Sequence, residues 1–265
     1  MKKLLLASLS MLSISAFAST PQLTNLSKTD VQKVGNEFAV NFAHTAVAAP
    51  ETDGLWGVEV GVIGGSTASP NLKKVVDSSG GNGKDFKTIY HAGIMARVHL
   101  PLDFFLEGSV LPQRAISGVK INSNSAGIGW NVGRFAGLPL DLAIGANSSR
   151  GNVSFKQDAT TNVPVDSTIS VKTKTTNLWV GISKTFLFFT PYAKVGSAHT
   201  QADVKVDASS GTIFNYTSKQ KESVDKRGGY VALGLNLQLA FIKLGFEVSQ
   251  MNTVKSATGK LSLDF

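Results

Sequence analysis

Nine ionisable residues recur at every second position among small or polar neighbours, opposite an apolar set: Glu59, His91, Arg97, His99, Glu107, Asp141, Lys194, Lys243 and Glu247. Both charge signs occur on this face. Such a set can form ion pairs that fill a narrow interior, where an unpaired charge would be costly, or it can line a polar path or a small-solute site. The spacing gives little to catalysis. His91 and His99 are eight residues apart, roughly 26 Å at about 3.3 Å per strand residue, so they cannot share one centre. Ser197 and His199 share a face, but two residues are not a triad, and spacing alone does not bring Asp203 or Asp207 to them. The four histidines (His44, His91, His99, His199) are scattered and cysteine is absent, so no metal or cofactor is expected. Gly80-Gly81-Asn82-Gly83 reads as a flexible loop tip with no helix after it, which excludes a phosphate loop. We therefore expect no enzyme.

The elements that must carry these residues alternate with a period of two. Trp56, Val58, Val60 and Val62 oppose Gly57, Glu59 and Gly61. The same pattern runs through Tyr90–Leu100, Phe104–Val110, Ile128–Val132, Leu140–Ala146, Leu178–Ser183, Tyr192–Gly196, Val231–Leu239, Ile242–Ser249 and Ala257–Phe265. Ten strands result, an even number, as a closed antiparallel barrel with both ends on one side requires. Twelve is the alternative. In Ile116–Arg134, Val119 and Ile121 have the opposite parity to Ile128, Trp130 and Val132, which a bulge or a small extra hairpin would repair. Short turns fall at Pro101–Asp103, Ala136–Pro139, Thr185–Phe189 and Ala240–Phe241. Long polar links fall at Thr67–Phe86, Lys156–Thr168 and Asp207–Val224, with shorter ones near Pro112–Ser117 and Met251–Thr253. That asymmetry matches periplasmic turns and extracellular loops. Thr168–Phe186 and Asp225–Leu239 exceed the roughly 9–11 residues that cross a membrane, so their polar ends are expected to project outward.

Alternation also occurs in soluble sandwiches, but three features favour a membrane. The face opposite the apolar one mixes Gly, Ala, Asn and charge. Aromatics (Trp56, Tyr90, Phe104, Phe105, Phe186, Phe188, Phe189, Phe241, Phe265) gather near strand ends, as interfacial girdles do. The chain stops on Phe265, as though the last strand closes against the first to leave no edge in lipid.

Ahead of the barrel, Ser19 to about Asp53 reads helical. Ser27 is an N-cap with Asp30 at N3, and Val31, Val34, Phe38 and Phe42 form one apolar stripe. Two placements fit: a helix packed on the end of a domain, or a plug inside or beneath the barrel. By the turn asymmetry it starts on the periplasmic side. Residues 1–18 read as a signal peptide: Lys2 and Lys3, the apolar run Leu4–Ile14, then Ala16-Phe17-Ala18. The expected division is 1–18, 19–54 and 55–265. Removing 18 of the 265 residues leaves 247, and the formal charge falls from +8 to +6 because the signal holds two lysines and no acid. The lysines are dispersed and the chain is exported, so anionic lipid headgroups, not nucleic acid, are the expected counterpart. Loop lysines such as Lys73, Lys84, Lys172, Lys174 and Lys219 suit the phosphates of lipopolysaccharide.

The segment Gly259-Lys260-Leu261-Ser262-Leu263-Asp264-Phe265 resembles the C-terminal assembly signal of outer-membrane β-barrel proteins of Gram-negative bacteria, with Gly259, Leu261, Leu263 and Phe265 at its pattern positions. The resemblance implies recognition by the barrel-assembly machinery and residence in the outer membrane. More loosely, a helix before a barrel is similar to FadL-type transporters, whose N-terminal segment plugs the lumen, and the pattern resembles small uncharacterised outer-membrane proteins. The expectation is an all-β, closed up-and-down antiparallel transmembrane barrel with one N-terminal amphipathic helix, acting as a monomer. Its function is passage of a small or hydrophobic solute, or a structural or interaction role with a closed lumen and active extracellular loops.

Overall fold

The computed structural model describes residues 27–51, 56–78, 82–116, 119–160, 164–210 and 216–265. The expected signal peptide, residues 1–18, lies outside the described residues.

Ten antiparallel strands close into one barrel: β1 (Gly57–Ala68), β2 (Thr88–Leu100), β3 (Phe104–Ile116), β4 (Val119–Asn131), β5 (Asp141–Thr160), β6 (Pro164–Ser183), β7 (Phe189–Ser210), β8 (Tyr216–Leu239), β9 (Ile242–Met251) and β10 (Val254–Asp264). Each pairs with its sequence neighbours, and β10 pairs with β1. At this seam Gly259, Leu261 and Leu263 lie opposite Gly64, Val62 and Val60. Phe265 exchanges two backbone hydrogen bonds with Val58, of 2.9 and 3.0 Å. Among the described strands no edge is left for lipid, which offers a backbone group no partner.

The period of two sorts the wall as read. Val58, Val60, Ile94, Leu106, Ile144, Val180, Leu233, Phe246, Leu261 and Leu263 face outward and are exposed, while Glu59, Arg97, Glu107 and Glu247 between them are buried. Trp56, Phe186, Phe188, Phe241 and Phe265 ring the short-turn end. Phe105 departs from the expected girdle: it faces inward and is 1% exposed.

Four regions read as links are largely structured among the described residues. β5 to β8 run 20, 20, 22 and 24 residues, against 10 for β9 and 13 for β4. They absorb most of Lys156–Thr168 and Asp207–Val224 and rise about ten residues, or roughly 30 Å, beyond what a membrane needs. Thr67–Phe86 holds a helix, here α2 (Pro70–Ser78), and a 3-10 turn (Gly83–Phe86); Gly80 and Gly81 of the expected flexible tip lie outside the described residues. Of Pro112–Ser117, residues 112–116 continue β3, whose pairing with β4 shifts register between Leu111 and Arg114.

The parity conflict in β4 has a different solution from a hairpin. β4 runs unbroken, with Val119 and Ile121 buried inside and Ile128 exposed outside. Val119 and Ile121 join an apolar core with Val153, Phe155, Ile169, Val171 and Val204 from the neighbouring strands, Leu72, Val75, Val76 and Phe86 from the β1–β2 connection, and Val31, Val34, Phe38 and Phe42. The interior at this end is apolar because it is packed, not wet.

The last four residues belong to α1 (Lys28–Asn41) and its C-cap. Ser27 caps it as read, accepting from the Asp30 N–H at 3.1 Å. The helix stops at Asn41, short of the expected Asp53, and residues 42–51 are irregular. Their backbone groups bond barrel side chains instead. Arg97 donates to the carbonyls of Ala49 and Glu51, both at 2.9 Å. The Asn236 amide, turned to suit, bridges Val47 O and Ala49 N at 3.1 and 3.0 Å.

The position of α1 corrects the expected side. It packs against β6, β7 and β8, at the projecting end. Thr175 donates to Ala39 O at 3.1 Å, and Phe42 lies over Gly151. Further along, Val47 sits with Ile63 and Met95, and Pro50 reaches Gly181 near the short turns. From Ser27 at the projecting end the described segment thus descends inside the ring to Glu51, near the short-turn end where β1 begins.

Candidate functional site

The polar interior forms tiers around residues 36–51, and eight of the nine ionisable residues read from sequence line it. Nearest the short turns, Glu59 of β1 pairs with Lys260 of β10 at 2.6 Å and accepts from Ser262 at 2.5 Å. Lys243 of β9 pairs with Asp264 of β10 at 2.9 Å. These pairs lock the inner side of the closing strand while Leu261 and Leu263 face lipid. His99 packs its ring beside Gly57 and is buried. Asp141, the ninth, is only half-buried at the start of β5 and accepts from Asn131 at 2.6 Å.

In the middle tier, Lys194 and Glu247 meet at 3.3 Å, and Tyr192 donates to the same carboxylate oxygen at 2.9 Å. The Lys194 ammonium also lies 5.4 Å from the Trp179 ring centre, and Arg97 stacks 4.1 Å over Phe105. Cation–ring contacts of this kind gain when water is excluded. His44, from the threaded segment, contacts Glu107 at 2.9 Å and Ser125 at 2.7 Å. Higher still, His91 bridges Asn41 and Thr258 at 3.1 and 2.9 Å, and Asn36 accepts from Thr200 and Asn252 at 3.2 and 3.1 Å.

Glycines on this face make room for rings. A Cβ at Gly145 would overlap the Trp179 ring, and one at Gly151 would overlap Phe42. Sequence suggested a hydrated or ion-paired interior there, but the space is filled by aromatic carbon.

At the projecting end, Glu37 is fully buried and caps α2. Its carboxylate accepts from the Asn71 and Leu72 backbone N–H at 2.8 and 2.9 Å and from the Asn71 amide at 2.7 Å. Burial pushes this carboxyl up, while the Asn71 and Leu72 bonds pull it back. A carboxylate at a helix N-terminus meets unpaired N–H groups and the positive end of the dipole, so α1 and α2 are joined electrostatically as well as through their apolar faces.

Sequence therefore named both Lys194 and Glu247, without pairing them, but missed several other partners. Lys260 and Asp264 carry the signal that could have found them, since they share the inward parity of Glu59 across the seam. Tyr192 has that parity too. His44, Asn36, Asn41 and Glu37 carried none, because no helical period says which face meets a barrel wall. Ser197 and His199 form no interior site. Both face outward, and His199 contacts the exposed Asp225 at 2.8 Å, whose other oxygen accepts from Gln201 at 3.2 Å.

A closed barrel with an outward apolar belt, a polar interior and an aromatic rim is an integral outer-membrane protein. Comparison with solved structures returns other barrels at low identity. Ail, the attachment invasion locus protein of Yersinia pestis, solved with the heparin analogue sucrose octasulfate, matches with TM-score 0.31 and 14% identity over 79% of this chain and 97% of its own. The translocator domain of the autotransporter NalP from Neisseria meningitidis gives 0.44 and 8% over 81% and 90%. The outer membrane protease OmpT from Escherichia coli gives 0.43 and 9% over 82% and 99%. No curated protein matches the chain in sequence. A family match covers nearly all of it, residues 12–261, and on that match the chain belongs to DUF6588, a family of unknown function.

Proposed function

We propose that this outer-membrane barrel is a sealed, non-enzymatic monomer that acts as a structural or interaction protein through the projecting ends of β5 to β8. The observation that carries this reading is the chain segment inside the ring. Val47, Ala48 and Ala49 are 0–3% exposed, and Arg97, His44 and Asn236 tie the segment to the wall at three heights. Lys194 and Glu247 fill the space beside it with a bonded pair. Opening a path for a solute would require withdrawal of residues 42–51, which would strip buried Arg97 of both its carbonyl acceptors and buried Glu107 of its His44 contact, and a buried charge that loses bonded partners is costly. In this reading the C-terminal strand, with Phe265 at its end, is what the barrel-assembly machinery engages, and the outer rim is what partners meet.

Reconstitution of the full chain in planar bilayers tests the seal. The expected result is no discrete conductance at any voltage the bilayer tolerates. Stable single-channel steps from the intact chain would overturn it in favour of solute passage.

A further inference from the structure

We infer that the outer wall of β4 to β6 holds a docking site for a phosphorylated amphiphile of the surrounding leaflet, with its acyl chains on the barrel and its phosphate on Arg150 and Lys174. The inference is independent of whether the lumen is sealed.

Two grooves lie one above the other on this wall. The lower, of about 550 Å³, is apolar and is lined by outward residues including Ile128, Trp130, Ala146, Leu178 and Val195. The upper, of about 390 Å³, is polar and includes Asn122, Asn124, Arg150, Asn152 and Lys172. The β3 register shift between Leu111 and Arg114 borders it, through Pro112 and Gln113. From Ala146 to Arg150 is four strand residues, about 13 Å. With strands tilted about 40° this is roughly 10 Å along the membrane normal, which is headgroup depth above the hydrocarbon.

Across β4 to β6 the charge at that depth has one sign. In register across four strands stand Asn124, Arg150, Lys174 and Gln201. Arg150 and Lys174 are direct cross-strand partners, exposed, and no carboxylate lies between them. Like charges placed opposite each other are destabilising, so this pair is suited to an anion from outside. Lys120 and Lys172 extend the patch on the same face. The nearest acids lie on its β7–β8 flank. Asp203, opposite Lys172, accepts from Ser223 at 2.6 Å, and Asp225 is held by His199 and Gln201. A guanidinium and an ammonium side by side, bordered by amide donors, fit a phosphate monoester. Hydrocarbon in the groove beneath commits the ligand to a lipid over a free anion.

The test uses the refolded full-length barrel in phosphatidylcholine nanodiscs, titrated with bisphosphorylated lipid A and read as lipid retained per barrel. Replacement of both Arg150→Ala and Lys174→Ala is expected to weaken retention at least about tenfold, since each basic residue near an anionic surface contributes on the order of 1 kcal/mol. Ala146→Phe, which fills the apolar groove, should also weaken it, while Lys255→Ala on the outward face of β10 should change nothing. Wild-type retention by the double variant would overturn the site. So would equal retention of dephosphorylated lipid A, or competition by inorganic phosphate at the same concentration as lipid A. Heat-modifiable mobility of each variant keeps loss of binding distinct from loss of fold.

Discussion

Between the short turns and the level of Ala146, the β5–β6 wall turns Ile144, Leu178 and Val180 outward and Asn147, Asn177 and Trp179 inward. Four to nine residues further along, the same two strands turn Lys172 and Lys174 outward and Val153, Phe155, Ile169 and Val171 inward. Backbone pairing is continuous through the change. What differs is the medium on each side. Lipid outside the lower part makes apolar carbon neutral there and leaves the interior to ion pairs, amides and flat rings. Water outside the upper part restores the usual preference, and α1 and α2 supply the apolar filling that a short, wide ring of strands lacks. One barrel is thus a membrane protein along one stretch and a water-soluble β-structure around a helix along the next.

Several measurements can break or sharpen this contrast. The largest effect should be one of access. A membrane-impermeant maleimide on intact cells should label Ser27→Cys, at the start of α1, and leave Leu138→Cys, in the β4–β5 turn, unmodified. The reverse pattern would place the projecting end in the periplasm. Next comes the seam. Lys260→Ala removes the ammonium paired with the buried Glu59 carboxylate and should cost about 3–5 kcal/mol, seen as a lower temperature for the heat-modifiable gel shift. Lys260→Met with Glu59→Leu should recover most of it, and failure to recover would mean the pair itself holds β10 in register. A charge scan of the outer wall should give a smaller, height-dependent cost. Val180→Arg should cost about 2–4 kcal/mol near the midplane, whereas Lys174→Val, six residues higher on the same strand, should stay within about 0.5 kcal/mol. Equal costs at both heights would refute the change of medium between them. Smallest is the upper core, where Ile169→Val should cost about 0.5–1.5 kcal/mol by denaturant titration in micelles. No change would mean the helix-filled end is loosely packed.

The strand count, the closure at Phe265 and the outward set were legible because lipid forces a period of two on every crossing. Glu59, Lys243 and Glu247 were legible for the same reason. Beyond the membrane the rule inverts, and Val119 and Ile121 looked out of phase because apolar was assumed to mean outward. Their parity was in fact the sign that something apolar lies inside. The Val31-Val34-Phe38-Phe42 stripe named a buried face but not its partner, since a helical period fits a barrel mouth as well as a domain surface. The end of the barrel it occupies was misread because nothing in 42–51 signals a chain that travels the length of the ring. Those nonhelical residues depend on Arg97 and Asn236 for their backbone bonds, and such dependence is invisible until the strands are placed.

That passage through the ring has a bearing on the order of events in biogenesis. α1 with its side chains is about 10–12 Å across, too broad to slip past Trp179, Phe105 and Tyr192 once they lie against one another inside. A needle's eye already filled admits no thread. The seam between Val58 and Phe265 can therefore close only around a segment already in place, and the strand that completes the ring is also the clasp that holds residues 27–51 inside it.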